Sequence, residues 1–259
     1  MTPPAAGRRV TRRQFGSITG GAVVSFALGS ACQGSVPLQR NDGKLTARPR
    51  PQAKTTATGD RALGLGADRD AILHLPPKVP GAPLPLLVLL HGAGGSGSGI
   101  LRRLVSFADE AGIVVLAPDS RESTWDAIRG GFGPDVDFLN RALDRVFDTV
   151  SVDPARVSVG GFSDGATYAI SLGLLNGDLF RRVLAYSPGF FVGGRAQGKP
   201  AFFISHGTAD PVLPIDRCSR VIVPVLEKQG YDVTFRQFDG GHQIPPNIAL
   251  AGMKWAAGA

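Results

Sequence analysis

The stretch Val157-Ser158-Val159-Gly160-Gly161-Phe162-Ser163-Asp164-Gly165-Ala166-Thr167-Tyr168 decides the fold. Its β-branched beginning predicts a short strand, and the small residues after the serine predict a helix that starts directly after a sharp turn. A serine on such a turn has a strained backbone, so both flanking positions have to be small, and Gly161 and Gly165 satisfy this. A glycine- and serine-rich loop at a strand end would have a similar composition. The rest of the chain is therefore needed to distinguish such a loop from a strand–turn–helix unit with the serine on the turn.

Strand and helix patterns alternate beyond residue 60, which predicts an α/β fold with a mostly parallel twisted sheet and helices on both faces. The continuous apolar run 84–90 is typical of a strand buried on both faces. Further strands are predicted at 70–75, 113–117, directly before Ser163, and at 182–187, 201–205 and 233–238. Helices are predicted at 99–111, 135–150, from the turn to 175, and at 215–229 and 246–257.

The positive charge of the chain is concentrated at its N-terminus. Residues 1–54 carry nine basic residues and one acidic residue, whereas the remainder has 19 basic against 20 acidic residues. The predicted folded part is therefore close to neutral, so a nucleic-acid partner is not implied. The length and the apolar content of 43% favour one globular domain, which we assign to residues 61–259 and expect to be a monomer.

Residues 1–32 have the pattern of an export signal. Thr11-Arg12-Arg13-Gln14-Phe15 is a twin-arginine pattern, and an uncharged run rich in Gly, Ala and Val follows it at 18–31. Those 14 residues, at about 1.5 Å per residue, fall short of a hydrocarbon core of roughly 30 Å. We therefore expect a signal segment rather than a membrane span, and a periplasmic, envelope-tethered or secreted protein.

The run ends in Leu28-Gly29-Ser30-Ala31-Cys32, which is similar to a lipoprotein processing box and indicates a membrane tether through lipidated Cys32. An ordinary signal-peptidase site at Gly29-x-Ala31 is equally consistent with the sequence. Residues 33–60 are rich in Pro, Arg, Gln and Thr, which predicts a disordered linker or a mobile arm of the domain. If Cys32 is lipidated or removed, Cys218 has no disulfide partner.

A serine hydroxyl needs a base within hydrogen-bond reach, and a histidine base needs a carboxylate that holds its tautomer. Of the four histidines, His74 is predicted to be a half-buried strand residue, His91 belongs to a glycine loop, and His206 caps the loop of Asp210. His242, in a glycine-rich loop after the last predicted strand, is therefore the predicted base of Ser163.

Three acids compete for the role of the carboxylate that orients His242. Asp210 is favoured because it follows a buried strand at its carboxyl end, where open α/β sheets place their sites. Asp216 is expected to cap a helix, and Asp239 is close to His242 along the chain, where it cannot easily approach the ring. The resulting order is Ser163, Asp210, His242.

From about residue 70 onward the chain resembles bacterial serine esterases of the α/β-hydrolase fold, a group that includes carboxylesterase/phospholipase and polyhydroxybutyrate-depolymerase-like families. The matching stretches are Leu90-His91-Gly92-Ala93-Gly94-Gly95, Gly161-Phe162-Ser163-Asp164-Gly165, His206-Gly207-Thr208-Ala209-Asp210 and Gly241-His242. The resemblance implies Ser163 as nucleophile, Asp210 as orienting acid, His242 as base, and the backbone N–H groups of Ala93 and Asp164 as oxyanion hole. It implies no metal and no cofactor.

The substrate is predicted from a short connection. Only 13 residues, 188–200, separate two predicted strands where many α/β-hydrolases insert a helical lid, so we expect an open site without a lid domain. Trp125, Phe190 and Phe191 are predicted to wall it, with an ordinary core role as the alternative. The expected substrate is a short-acyl or aryl ester. Polyester, lysophospholipid and thioester cleavage remain alternatives, and so does a catalytically silent binding protein tethered to the envelope.

Overall fold

The computed structural model describes residues 42–50, 58–78 and 83–258. The predicted signal segment and Cys32 lie outside these residues. Among the helices that the structure describes, none combines the length and the apolar character needed to cross a membrane.

A single sheet of eight strands organises the described part of the domain, in the order β1-β2-β4-β3-β5-β6-β7-β8. The strands are β1 Gly59–Ala62, β2 Ala71–Leu75, β3 Leu84–Leu90, β4 Val114–Pro118, β5 Val152–Phe162, β6 Arg182–Tyr186, β7 Ala201–Gly207 and β8 Val233–Phe238. The strands from β3 to β8 run parallel, and β1 and β2 pair antiparallel at one edge. The parallel strands therefore all deliver their carboxyl ends to one side of the sheet.

Helices cover both faces of this sheet: α1 Gly97–Ala111, α2 Pro134–Thr149, α3 Asp164–Leu175, α4 Ser219–Lys228 and α5 Pro246–Ala257. The alternation within β3 shows why. Leu86, Val88 and Leu90 pack with residues of α2, α3 and α4. Leu87 and Leu89 pack with residues of α1 and α5. Because every residue of β3 is buried, the strand has no polar face, which is what its continuous apolar sequence predicts.

The predicted elements are present, with shifts at their ends that have local causes. Helix α1 begins at Gly97 because the Ser96 hydroxyl caps it by accepting a hydrogen bond from Gly99 N–H at 3.1 Å. The helix predicted at 215–229 is divided into a short 3₁₀ turn, Ile215–Arg217, and helix α4. The division falls at Cys218, whose φ of −118° and ψ of −101° are not helical.

The prediction of a disordered linker over 33–60 is wrong for residues 42–50. Leu45 and Ala47 are each 2% exposed within the core. Asn176, at the end of α3, accepts a hydrogen bond from Leu45 N–H at 2.7 Å and donates one to the Gly43 carbonyl at 2.9 Å. Asn140 of α2 accepts from Thr46 N–H at 2.8 Å. The linker prediction also missed the exposed edge strand β1.

The connection between β6 and β7 contains no helix, and all of its residues, 187–200, are described. It lies along α3, because Gly189 N–H donates to the Thr167 hydroxyl and Val192 N–H to the Ser171 hydroxyl, each at 2.9 Å. The site side of the sheet is therefore not covered by a helical insertion at this position, as the length of the connection predicts.

Candidate active site

Ser163 lies on the turn between β5 and α3 with a φ of 58° and a ψ of −121°, which is strained for a residue with a side chain. A side chain at position 161 would come within 2.6 Å of the Leu90 carbonyl oxygen. One at position 165 would collide with the same carbonyl and with that of His91. The structure therefore confirms why the sequence places glycine on both sides of Ser163.

Hydrogen bonds hold the Ser163 turn against the neighbouring strand. Ser163 N–H donates to the Tyr186 carbonyl of β6 at 2.9 Å, and the Ser163 carbonyl accepts from Thr167 N–H at 3.0 Å. Asp164 is the first residue of α3, so its backbone N–H has no acceptor within the helix. That N–H therefore lies at the positive end of the helix dipole. The Asp164 carboxylate accepts a hydrogen bond from the Thr124 hydroxyl at 2.6 Å.

The glycine loop after β3 lies beside Ser163. A Cβ atom placed on Gly92 would be 3.3 Å from the Cβ of Ser163. The loop is closed by a hydrogen bond from Gly95 N–H to the Gly92 carbonyl at 3.0 Å, and Gly94 N–H donates to the Ser123 carbonyl at 2.6 Å. Ala93 is exposed at the tip of this loop, where the resemblance expects an oxyanion donor.

His91 anchors the glycine loop, and it is not available as a base. Its Nε2 accepts a hydrogen bond from Ser120 N–H at 3.0 Å, so the ring proton is on Nδ1, which donates to the Gly92 carbonyl at 2.7 Å. Burial lowers the pKa of His91 despite the opposing effects of that carbonyl and of Asp119. A neutral ring with both nitrogens occupied fits the predicted loop role.

Asp210 and His242 are brought together by the loops after β7 and β8. His242 Nδ1–H donates to Asp210 Oδ2 at 2.7 Å. The other carboxylate oxygen accepts from Val212 and Leu213 N–H, both at 2.9 Å. Burial raises the pKa of Asp210, but hydrogen bonds from Leu213, His242 and Val212 outweigh it and hold the pKa below its ordinary value. Asp210 is therefore a charged, fixed partner for the ring.

The two loops are packed too tightly to separate easily. Ala209 N–H donates to the Gly240 carbonyl at 3.0 Å. Any side chain at Gly207 would collide with the carbonyl oxygens of Gly240 and Gly241. The ring of His242 lies 4.6 Å from the ring of Phe162, the residue that precedes Ser163. This contact places His242 next to the serine turn, with an Nε2 atom that makes no hydrogen bond to the described residues.

His206 has the structural role that its position predicts. Its Nε2–H donates to the Leu213 carbonyl at 2.7 Å, so Nδ1 accepts from the Ser219 hydroxyl, also at 2.7 Å. The competing acid Asp216 forms an ion pair with Arg220 at 2.6 Å. The Asp239 carboxylate accepts a long hydrogen bond from the Thr208 hydroxyl, at 3.4 Å. These contacts account for both acids without His242.

His74 in β2 is also structural, and it is more deeply buried than predicted. It is 5% exposed, and its two nitrogens contact Asp60 of β1 at 2.6 Å and Asp109 of α1 at 2.8 Å. No group of three or more His, Cys, Asp or Glu side chains suited to a metal ion occurs among the residues that the structure describes.

Trp125 does not wall the site, contrary to the prediction. It is fully buried, its Nε1–H donates to the His91 carbonyl at 2.9 Å, and its ring stacks on Tyr168 at 5.2 Å. Phe191 is half-buried against the core, whereas Phe190 is 48% exposed. Of the three predicted aromatic residues, only Phe190 presents a large apolar surface to solvent.

A cleft of about 270 Å³ lies between the glycine loop and helix α1. Its lining is His91, Gly92, Ala93, Gly95, Ser96, Gly99, Ile100, Arg103 and Phe162. Arg103 and Phe162 line the cleft, although neither was predicted to line the site. The available signal was helical spacing, since Arg103 is four residues after Gly99 and therefore on the same side of α1.

Residues 63–202 match the protein family described as "Putative esterase", and this range is more than half of the chain. "Putative esterase NocK" of Nocardia uniformis subsp. tsuyamanensis is 29% identical, over 81% of this chain and 67% of its own. "Feruloyl esterase C" of Emericella nidulans is 29% identical over 57% of each chain, so this chain spans little more than half of that relative.

Solved structures of esterases share the fold. Esterase PE8 superposes with a TM-score of 0.57 at 24% identity, over 71% of this chain and 97% of its own. The s-formylglutathione hydrolase of Staphylococcus aureus gives 0.63 at 16% identity, over 78% of this chain and 100% of its own. The chain belongs to the esterase family that its residues 63–202 match, and it is an ester hydrolase with the α/β-hydrolase fold.

Proposed function

We propose that the chain is a serine carboxylesterase that uses Ser163 as nucleophile, His242 as general base and Asp210 as the orienting acid. One observation carries this proposal: His242 is fixed by Asp210 through Nδ1 at 2.7 Å, while its Nε2 has no hydrogen-bond partner among the described residues. The ring also lies against Phe162, the neighbour of Ser163. Asp210 and His242 fall beyond the family match, so the geometry supports them independently.

In the first half of the reaction, the Ser163 hydroxyl attacks the ester carbonyl while His242 Nε2 accepts its proton. Asp210 favours the tautomer with the proton on Nδ1 and stabilises the imidazolium. The carbonyl oxygen becomes negative and accepts hydrogen bonds from the N–H groups of Ala93 and Asp164. The imidazolium Nε2–H then protonates the alkoxide, which departs as an alcohol. The acyl group remains bonded to Ser163.

In the second half, a water molecule takes the place of the alcohol. His242 Nε2 accepts its proton as the oxygen attacks the acyl carbonyl, and the same two N–H groups hold the second oxyanion. The bond to Ser163 breaks, and His242 returns the proton to the serine oxygen. The carboxylic acid is released and the chain is restored, so the cycle consumes one ester and one water and needs no redox partner.

The preferred substrate is a soluble short-acyl or aryl ester. Three features support this: the non-helical connection at 187–200 leaves the site side open, Phe190 offers an exposed aromatic face, and a relative is named for feruloyl esters. Polyester cleavage is the second candidate, because an open site also admits a polymer chain. Thioester and lysophospholipid cleavage would use the same catalytic residues, so only assays with those substrates distinguish them from polyester cleavage.

The test is hydrolysis of p-nitrophenyl esters of increasing acyl length by wild type and by Ser163→Ala. We expect the substitution to lower kcat by more than about 10³-fold without a change in melting temperature. Ser187→Ala is the matched control: it follows β6 with a φ of 51°, is fully buried, and its hydroxyl has no hydrogen-bond partner. A Ser163→Ala enzyme with half of the wild-type activity would contradict the proposal.

We further propose export by the twin-arginine route, with lipidation of Cys32 and ordinary signal cleavage as the alternatives. The support is the sequence pattern alone, in residues outside those that the structure describes. Arg12→Lys together with Arg13→Lys is expected to retain the precursor in the cytoplasm, measured by fractionation. Cys32→Ser releases a lipidated form from membranes, and a wild type that is wholly soluble after export excludes lipidation.

A further inference from the structure

The cleft beside the glycine loop contains a cation that the proposed mechanism does not use. Arg103 is exposed on α1, and its guanidinium carbon lies 5.3 Å from the centre of the Phe162 ring. Within the described residues it makes no hydrogen bond and no ion pair. All lining residues of the cleft are described, and among them Arg103 alone carries a charged side chain.

Five of the 17 arginines that the structure describes form an ion pair with an acid. Arg156 pairs with Asp153 at 2.7 Å, and Arg220 pairs with Asp216 at 2.6 Å. Arg103 has no acid one turn away on its helix, where Gly99, Ser106 and Phe107 stand. The absence of a local carboxylate leaves the positive charge to act on whatever enters the cleft.

The acids nearest to the site are already engaged. Asp164 accepts the hydrogen bond of Thr124 at 2.6 Å, and Asp119 accepts from Gly97 N–H at 2.7 Å. Packing against an aromatic face restrains a guanidinium and leaves its N–H donors free, because they lie in the plane of the guanidinium itself. Arg103 is therefore held at the cleft by Phe162 with donors available for a planar anion, and a carboxylate matches their geometry.

The proposed mechanism indicates which half of the ester would meet this cation. The leaving alcohol has to face His242 Nε2, because that atom protonates it. The acyl half stays on Ser163 while its carbonyl oxygen is held at Ala93, and Ala93 and Gly92 line the cleft. Because Gly92 and Ala93 border the cleft, the acyl chain is the half that we place in it, alongside α1 and Arg103.

We propose that Arg103 makes this cleft an anion-recognition subsite, so that the preferred ester has an acyl chain ending in a carboxylate, as in the half-esters of short dicarboxylic acids. This proposal rests on the proposed function, because it assigns the acyl specificity of the same site. Arg103 acts here as a specificity-determining residue that binds substrate, and it takes no part in proton transfer.

The test compares p-nitrophenyl hydrogen adipate with its neutral methyl ester, after subtraction of hydrolysis without enzyme. We expect wild type to favour the acid by about tenfold in kcat/KM, as is reasonable for a partly exposed charge-assisted hydrogen bond. Arg103→Met and Arg103→Gln are expected to abolish the preference, and Arg103→Lys to keep part of it. In about 1 M NaCl the wild-type preference is expected to shrink, because salt screens exposed charges.

Arg102→Met is the matched control, since Arg102 is the adjacent exposed arginine of α1 and does not line the cleft. It is expected to keep the full preference for the acid. Equal kcat/KM for both esters in wild type, or a preference that survives in both Arg103→Met and Arg103→Gln, overturns the subsite. Failure of wild type to cleave either ester, or any neutral p-nitrophenyl ester, instead contradicts the proposed function.

Discussion

Two histidines, one at the end of β7 and one in the loop after β8, contact the same oxygen of Asp210, and they differ in whether a ring nitrogen is left without a hydrogen bond. His206 is 3.3 Å from Asp210 Oδ2 and has a fully buried side chain, with both nitrogens bonded elsewhere. The side chain of His242 is 2.7 Å from that oxygen and is 14% exposed, with one nitrogen bonded. His206 therefore has a structural role beside the loop that carries Asp210, whereas His242 keeps one ring nitrogen free for a reactant.

The difference shows how to distinguish a structural polar group from a reactive one. Burial of a polar group is costly unless its hydrogen bonds are made, so a structural histidine uses both nitrogens. A general base has to keep one acceptor free for the reactant and needs its other nitrogen fixed. In the described part of the chain, His74, His91 and His206 satisfy the first condition and His242 satisfies the second.

The largest predicted effect separates these two histidines. His242→Ala is expected to lower kcat by about 10³-fold or more and to lower the free energy of unfolding by less than His206→Ala does, because its side chain is partly exposed and bonded through one nitrogen only. His206→Ala is expected to lower the free energy of unfolding by about 2–4 kcal/mol, since it leaves a cavity and unpaired groups at Leu213 and Ser219. Kinetics and urea unfolding of both variants measure the two effects.

The opposite pattern would break the comparison. If His242→Ala unfolded the protein while retaining its specific activity, or if His206→Ala removed catalysis from a protein of unchanged stability, the assignment of roles would be wrong. Since His206 also faces Asp210, a small loss of activity in His206→Ala is consistent with displacement of that carboxylate.

A second buried polar group contacts the loop between β4 and α2, and it is predicted to make the stability of the protein depend on pH. Asp135 accepts hydrogen bonds from Arg121 N–H at 2.5 Å and Asp126 N–H at 2.7 Å. Burial raises its pKa from 3.8 to about 6, with the Asp126 carboxylate adding to the rise against the effect of these hydrogen bonds. Asp135 therefore keeps its proton to a higher pH in the folded chain than in the unfolded chain.

A raised pKa gives stability that is fully present below pH 3.8 and is lost as the pH rises through about 6. This loss amounts to about 3 kcal/mol for the shift of Asp135. We expect the free energy of unfolding of wild type to fall over this range relative to that of Asp135→Asn, measured in urea at a series of pH values. Asp216→Asn, at an exposed acid, is the control. Identical pH profiles for wild type and Asp135→Asn would refute the prediction.

The smallest predicted effect concerns the support of the glycine loop. Trp125→Phe keeps an aromatic ring against Tyr168 and removes the hydrogen bond to the His91 carbonyl. We expect stability to fall by about 1–2 kcal/mol and kcat to fall by less than about tenfold, because the loop that carries Ala93 is less firmly held. Thermal unfolding and ester kinetics measure both. A loss of activity above about 10³-fold would mean that Trp125 contacts the substrate after all.

The sequence predicted the serine turn and the core strands because their signals are local. Both glycines beside Ser163 are required by contacts with the backbone of the turn and of the adjacent strand end. Strands β3 and β8 and helix α5 agree with the prediction to the residue, since the apolar run of β3, the β-branched and aromatic residues of β8 and Pro246 at the helix start define their ends. Each of these signals lies within a few residues of the element that it defines.

The parts that sequence could not predict depend on partners far along the chain. Leu45 is held by Asn176, 131 residues away. The polar sequence around Leu45 contains no local pattern that predicts such a contact. The indole N–H of Trp125 donates to a carbonyl 34 residues away. Trp125 is therefore a core residue and not part of the wall of the site. Arg103 becomes a cleft residue only when the fold brings helix α1 to the ring of Phe162. In each case tertiary packing, not local pattern, fixes the environment.

The central claim is that Ser163 is the nucleophile, and covalent labelling tests it most directly. The folded enzyme is treated with a fluorophosphonate, which forms a stable bond to an activated serine, and the modified peptide is mapped by mass spectrometry. We predict one adduct, on Ser163, formed at a rate that falls sharply in His242→Ala and is unchanged in Ser187→Ala. An adduct on another serine, or no adduct on folded protein that still cleaves esters, would contradict the account.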